Sequence, residues 1–492
     1  MTESNLEPPT SASAAKDTPD ARWTPRLWGT LLVLCTVLFL DGLDISMVGV
    51  TLPAIQADLG LSTSTLQWIV SGYVLGYGGL LLLGGRTADL LGRRRVLLIA
   101  LAVFAGASLL SVFVDNGTLL IATRFIKGVA AAFTAPAGLS ILTTTFAEGP
   151  VRNRALGIYT VFGASGFSSG LILGGVLSEI DWRAVFLLPA PLALAALVAG
   201  IKFIPKTSEK AEGGHDILGA VLSTSALLLL VFTVVSAPEA GWATFRTIGS
   251  FVLVAVLAAA FLLTENRLAH PLVRLGIFKN KLLVQANLAA MTVFGSYAAF
   301  QFVVALYLQT VLGWSPLEMA LALLPAGLIV ATSGPTMGKL ITRYGTAPLV
   351  TIGMVAFTAA YALFLRADAE PSLVTVILPT AVLLGFGFAL AFSSLNVQAT
   401  TGVADNEQGL ASGLVQTSFQ IGGAVVLAIT SAIVGSTEVK PGEVPDTFYP
   451  AIGFITVIAV IGLAAALRGW AHQRRTDFDD ELDRERELDL VA

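Results

Sequence analysis

Apolar runs of about 17–25 residues follow one another along nearly the whole chain, separated by short polar or glycine-rich breaks. Each is long enough to cross a hydrocarbon core roughly 30 Å thick. Reading the runs in order predicts fourteen membrane-spanning helices: 27–52, 66–85, 96–114, 118–146, 155–177, 184–204, 217–237, 248–263, 282–311, 319–340, 349–365, 373–396, 410–434 and 449–467. The pattern therefore predicts an all-α polytopic membrane protein, multi-pass in the plasma membrane. Composition agrees, with 55% hydrophobic and 13% charged residues and a mean hydropathy of +0.80, where a soluble domain carries roughly 25% charge.

Lysine and arginine set the expected orientation, because they accumulate on the cytoplasmic side. Arg22 and Arg26, Arg86 with Arg93–Arg95, Arg152 and Arg154, Lys202 and Lys206, Arg267 to Lys281, Lys339 and Arg343, and Arg468 to Arg475 share one side. The other side offers Arg183, Arg246, Arg366 and Lys440. Both termini are thus expected in the cytoplasm. Residues 1–26 read as a disordered polar tail and not a secretory signal, and 468–492 as a charged tail. The net charge of −4 is dominated by these tails. A single cysteine, Cys35, leaves no intramolecular disulfide, and His215, His270 and His472 all fall in cytoplasmic segments, so no metal site is expected.

Two short patterns repeat. GRTADLLG at 85–92 parallels GKLITRYG at 338–345, and RALGIY at 154–159 parallels LASGLV at 410–415. The offsets nearly coincide and match the distance between the starts of spans 1 and 9. A repeat at one offset implies duplicated units. The domain plan is then an N-terminal six-helix bundle at 27–204, an inserted pair of helices with flanking loops at 205–281, and a C-terminal six-helix bundle at 282–467. Parallel repeats of this kind rock against each other around a midplane site.

The candidate chemistry sits in the first span, where Asp41 and Asp44 interrupt an apolar run. Charged side chains at bilayer depth are costly and mark ion or substrate pathways. In the fourth span Arg124 and Lys127 are spaced like the two acids. Asp44 lies roughly 12 Å and Arg124 roughly 9 Å from the outer ends of their helices at 1.5 Å per residue. Two rungs are expected, Asp44 with Arg124 and Asp41 with Lys127, and all four are candidate proton-coupling residues. Desolvation favours the neutral acid and a nearby cation the ionised one, so moving Arg124 or admitting water would switch the carboxylate.

With those residues in view, the chain resembles the major facilitator superfamily, and within it the fourteen-helix drug:proton antiporters. The similarity covers essentially everything between the tails. GRTADLLGRRRVL at 85–97 resembles the first cytoplasmic-loop signature through Gly85, Asp89, Gly92, Arg93 and Arg94; LIATRFIKG at 120–128 the fourth-helix signature through Arg124 and Gly128; and GFSSGLILGG at 166–175 the antiporter signature through Gly166, Gly170, Gly174 and Gly175. The usual proline after Gly170 is Leu171, and Lys127 stands where glutamine is common. LDISMVGVTLP at 43–53, DWRAVF at 181–186 and PLVRLGIF at 271–278 are also similar to this branch. The resemblance implies the superfamily fold, proton-coupled multidrug or antibiotic export by alternating access, and a gating role for Asp89, Arg93, Gly85 and Gly92.

The glycines of span 5 lie near one face and predict either close helix packing or a sliding contact between halves; Gly170 and Gly174 are gating candidates on the second reading. Aromatic walls with a few polar anchors suit lipophilic ligands, and Tyr297, Gln301, Gln420, Tyr73 and Asn396 are the substrate-binding candidates. Spans 9–14 carry no mid-membrane acid, so neutral or singly charged substrates are expected. The partners expected are a small lipophilic substrate, protons and the bilayer, with no nucleic acid and no cofactor beyond the proton gradient, for a monomer. The alternatives are a lipid transporter or passive facilitator of the same fold, or a non-transporting scaffold. No GxxxxGK[ST], HExxH or GxSxG motif supports an enzyme.

Overall fold

The computed structural model describes residues 23–147, 150–206, 217–268, 273–368, 370–403, 407–435 and 443–491. Its helices are α1 (Pro25–Leu59), α2 (Thr63–Leu91), α3 (Arg93–Val112), α4 (Gly117–Thr145), α5 (Pro150–Ile180), α6 (Ala184–Leu187), α7 (Pro189–Phe203), α8 (Ile217–Ala240), α9 (Phe245–Glu265), α10 (Lys281–Leu306), α11 (Pro316–Tyr344), α12 (Thr346–Phe364), α13 (Leu378–Thr400), α14 (Gln408–Val434) and α15 (Phe448–Val491). Short π-helical turns, Tyr307–Val311 and Leu373–Ile377, extend α10 and lead into α13. Among the described residues fourteen helical segments are long and apolar enough to span a membrane, α6 and α7 together making the sixth. An even number of crossings returns the chain to the side it started from. The expected N-terminal tail falls mostly on residues 1–22, outside the described residues, whereas the C-terminal tail continues α15 as helix.

Polar residues at the breaks start these helices. Thr24 caps α1 and Asn116 caps α4 through the backbone N–H three residues on, and Ser315 with Glu318 forms a reciprocal capping box on α11. The duplicated loop has a structural counterpart. One glycine alone separates α2 from α3 and α11 from α12, Gly92 at φ 94° and Gly345 at φ 77°. A side chain is strained at such angles, so glycine is what lets two long helices meet at so sharp a corner.

Two cores result. One gathers apolar side chains of α1–α7, the other those of α10–α15 joined by Val50 of α1. The halves meet along two seams. At one, Val161 of α5 fills the space over Gly334 of α11. At the other, Leu82 of α2 lies against Gly413 of α14, and Gln420 crosses over Gly78. Because α2 corresponds to α11 and α5 to α14 in the repeat, the seams are equivalent positions of the duplicated unit.

The inserted helices break that symmetry. Leu228 of α8 packs over Gly79 of α2, Trp68 of α2 meets Phe232 of α8 at 5.5 Å, and Val231 and Val235 cluster with Ala424 of α14. α8 thus covers the α2–α14 seam. α9 packs on α8 and turns Ile248, Val252, Val256 and Leu263 outward, the surface expected of a lipid-facing helix.

The glycine face of α5 has a different role from a sliding contact. Gly163 faces Leu38, Gly166 the Phe39 backbone, Gly170 Leu43 and Ser46, and Gly174 Met47, all on α1 within the same half. Gly170 and Gly174 thus face α1 and not the second half. Small residues on one stripe allow the closest backbone approach, and α5 uses that stripe to dock onto α1 while other side chains meet α11.

Candidate functional site

The long runs of α1 and α4 cross inside the first half, bringing Asp44 against Arg124 and Lys127. Arg124 Nη1 donates to Asp44 Oδ2, and Lys127 Nζ donates to Asp44 Oδ1. All three side chains are essentially removed from solvent, at 1%, 1% and 0% exposure. Arg124 is fixed further by its Nε bond to the Ile69 carbonyl at 3.2 Å and by the Tyr73 ring, 4.6 Å from its guanidinium carbon. Lys127 sits between Phe104 and Phe186, 4.9 and 5.5 Å from their ring centres. Breaking a buried charge pair costs about 3–5 kcal/mol because it strands the remaining charge.

The expected second rung does not form. Lys127 bonds Asp44 rather than Asp41, although it lies a turn further along α4. Its flexible four-carbon stem bridges the offset, while Asp41, three residues earlier on α1 and about 60° around it, takes neither cation. Asp41 is nevertheless buried at 5% exposure, and its Oδ2 has no hydrogen-bond partner among the described residues. It lies close enough to Tyr73 and Tyr77 of α2 and Tyr159 of α5 to act electrostatically on each. The Tyr73 hydroxyl is likewise buried without a partner.

Of the substrate candidates, Tyr297 and Gln301 share a cavity. Phe167 and Leu171 of α5, Ala326 and Gly327 of α11, and Gly385 and Phe388 of α13 complete much of its wall. Phe167 lies 5.5 Å from Tyr297, and Phe388 4.8 Å from Tyr297 and 5.0 Å from Phe392, ring centre to ring centre. Gln301 Oε1 is buried there without a partner among the described residues. The space is about 10 Å³, room for about one water molecule, so this conformation is closed. The remaining candidates lie elsewhere. Asn396 accepts a 3.2 Å bond from Gln416, Gln420 crosses the α2–α14 seam, and Tyr73 belongs with Arg124. Among the described side chains α10–α15 bury no acid.

At the turn between α2 and α3, Gly85 packs against Pro136 of α4, Gly92 supplies the positive φ, and Arg93 begins α3. Asp89 lies in the last turn of α2, and its side chain is outside those described. Arg94 donates to the Ile201 and Ile204 carbonyls at 2.8 and 3.0 Å, tying α3 to the end of α7.

Sequence reasoning passed over several contacts. Arg183 of the DWRAVF block bridges Asp58 at 3.0 Å and Asp115 at 3.1 Å, with Trp182 donating to Asp58 at 2.9 Å. In the PLVRLGIF block, Val273 donates to Glu265 and Arg274 reaches Glu407 at 3.5 Å, fastening the inserted pair to α14. Tyr159 gave no warning of its place near Asp41. Its only signal is its position at the end of the repeated RALGIY segment.

The family model described as Major Facilitator Superfamily matches residues 34–427. The chain is 35% identical over 463 residues to the cephamycin export protein CmcT of Amycolatopsis lactamdurans, covering 92% of this chain and 95% of that one. It is 33% identical over 488 residues to the puromycin resistance protein pur8 of Streptomyces alboniger (95% of each), and 31% over 441 residues to the multidrug efflux pump LfrA of Mycolicibacterium smegmatis (89% and 87%). Among solved structures, the human organic anion transporter MFSD10 aligns with a TM-score of 0.64 at 16% identity, covering 90% of this chain and all of that one.

Proposed function

The chain belongs to the major facilitator superfamily, in its fourteen-helix drug-efflux branch, and from that premise we infer that it exports small lipophilic compounds from the cell in exchange for protons. Its cargo would be neutral or singly cationic antibiotics or other drugs, moved by alternating access in the plasma membrane with both termini in the cytoplasm. Relatives named as export and resistance proteins support the direction and the substrate class. The single observation that carries the coupling is the pair of carboxylates buried on α1 inside the first half, Asp44 bonded to Arg124 and Lys127 and Asp41 beside it. Such a cluster costs stability wherever it has no transport role to serve. An aromatic cavity to which both halves contribute supports a lipophilic cargo, and the lack of a buried acid among the described side chains of α10–α15 argues against dications.

Everted membrane vesicles energised by a proton gradient and offered a panel of fluorescent lipophiles test this reading. Uphill uptake that collapses with a protonophore is expected. Equilibration that ignores the gradient would make the protein a passive facilitator instead.

A further inference from the structure

The two carboxylates of α1 are in opposite conditions. Asp44 has both oxygens engaged by cations, and Arg124 is locked from two further directions. Asp41 has a buried oxygen with no partner among the described residues, and so has the hydroxyl of Tyr73, which is close enough to interact with it electrostatically. An ionised carboxylate stranded in this way is costly, so Asp41 needs a proton or a cation before the site can close around it.

Resting on the export reading above, we propose that Asp41, and not Asp44, is the exchange site, where a proton and the charged head of a monocationic substrate take turns. The tyrosines of α2 and α5 supply the second half of the argument. The Tyr73 ring already carries Arg124 on its face, but its buried hydroxyl is unpartnered among the described residues and can donate to a carboxylate or accept from a neutral acid. Among the described residues, the groups that interact electrostatically with Asp41 are Asp44 on its own helix, Tyr73 and Tyr77 on α2 and Tyr159 on α5, while Arg124 and Lys127 of α4 both bond Asp44. α6 has no ionisable residue, and Lys202 of α7 lies in its last turn over the Phe203 ring.

The exchange balances. A proton arriving from the outer side forms an O–H bond on Asp41 and frees the cation. When the site faces inward that bond breaks, the proton leaves to water, and the carboxylate takes the next cation. One positive charge replaces another, so export of a monocation is electroneutral at this site. Asp44 stays ionised throughout as the counter-charge of Arg124 and Lys127.

Equilibrium binding of ethidium, a permanent lipophilic monocation, to the purified full-length protein across the neutral pH range tests this. In the wild type, affinity should fall as pH falls, by up to about tenfold per pH unit, as for one competing proton. Asp41→Asn should bind ethidium at least tenfold more weakly and with no pH slope, whereas Asp41→Glu should keep a slope, which guards against a folding defect as the cause. Asp44→Asn should retain the slope at whatever level it folds. A slope that survives in Asp41→Asn, or that vanishes in Asp44→Asn while Asp41→Asn keeps it, overturns the assignment. A wild type that moves no lipophile in energised vesicles removes the export reading itself.

Discussion

Lys127 and Arg124 hold opposite oxygens of a single carboxylate, Asp44, inside the first six-helix half. The charge is shared three ways, and the members are not equally replaceable. Asp44→Asn strands two cations and should lower stability by about 3–5 kcal/mol. Asp41→Asn, which removes an oxygen that bonds nothing, should cost much less. Thermal unfolding of the two purified variants in one detergent checks the order. Equal losses would mean that Asp41 has a partner of its own.

The glycines of α5 give a sharper contrast. A methyl group at Gly166 would run into the Phe39 carbonyl on α1, whereas one at Gly157 meets nothing within 4 Å. Gly166→Ala should therefore reduce folded yield and melting temperature, while Gly157→Ala should be neutral or slightly stabilising, since alanine is favoured over glycine in a helix by up to about 1 kcal/mol. Size-exclusion profiles and melting curves of the two variants decide it.

At the α5–α11 seam, Val161 touches Gly334 across the halves. A Cβ at residue 334 would stand 2.7 Å from that of residue 161, so a pair made by Val161→Cys and Gly334→Cys needs the helices to part by about 1 Å to reach disulfide spacing; it should then cross-link under mild oxidation and stop transport, with recovery on reduction. The native Cys35 is buried and leaves the background low. Full transport by the cross-linked protein would show that this seam does not open during the cycle.

Gln301 offers an unused acceptor to whatever fills the aromatic cavity. Gln301→Leu should weaken binding of substrates that carry an N–H or O–H donor by roughly five- to tenfold, the worth of one net hydrogen bond of about 1–1.5 kcal/mol, and leave donor-free lipophiles unchanged. Parallel titrations with a matched pair of such ligands measure the difference.

Much of this was legible before any coordinates. Spans announce themselves because lipid demands length and apolarity, and the paired glycine loops gave away the duplication that Gly92 and Gly345 now display as twin corners. The acid–base meeting of α1 and α4 was also readable, since charges that deep must find each other. The choice of partner was not. Equal spacing of two acids and two bases suggests a ladder, but a lysine stem is long enough to climb one turn, and three residues of rotation carry Asp41 to a different neighbour. The α5 glycines were ambiguous for a related reason: periodicity shows that a face is smooth and says nothing of which helix lies against it. The seat of α8 was hidden because a helix apolar on all sides shows no preferred face.

That seat gives the molecule a spine and a fore-edge. The two halves are bound along α2 and α14, where α8 lies over the join like a strip of backing cloth, and α5 with α11 forms the margin opposite. Two edges that the repeat makes alike are therefore dressed differently, one of them backed by the added helix.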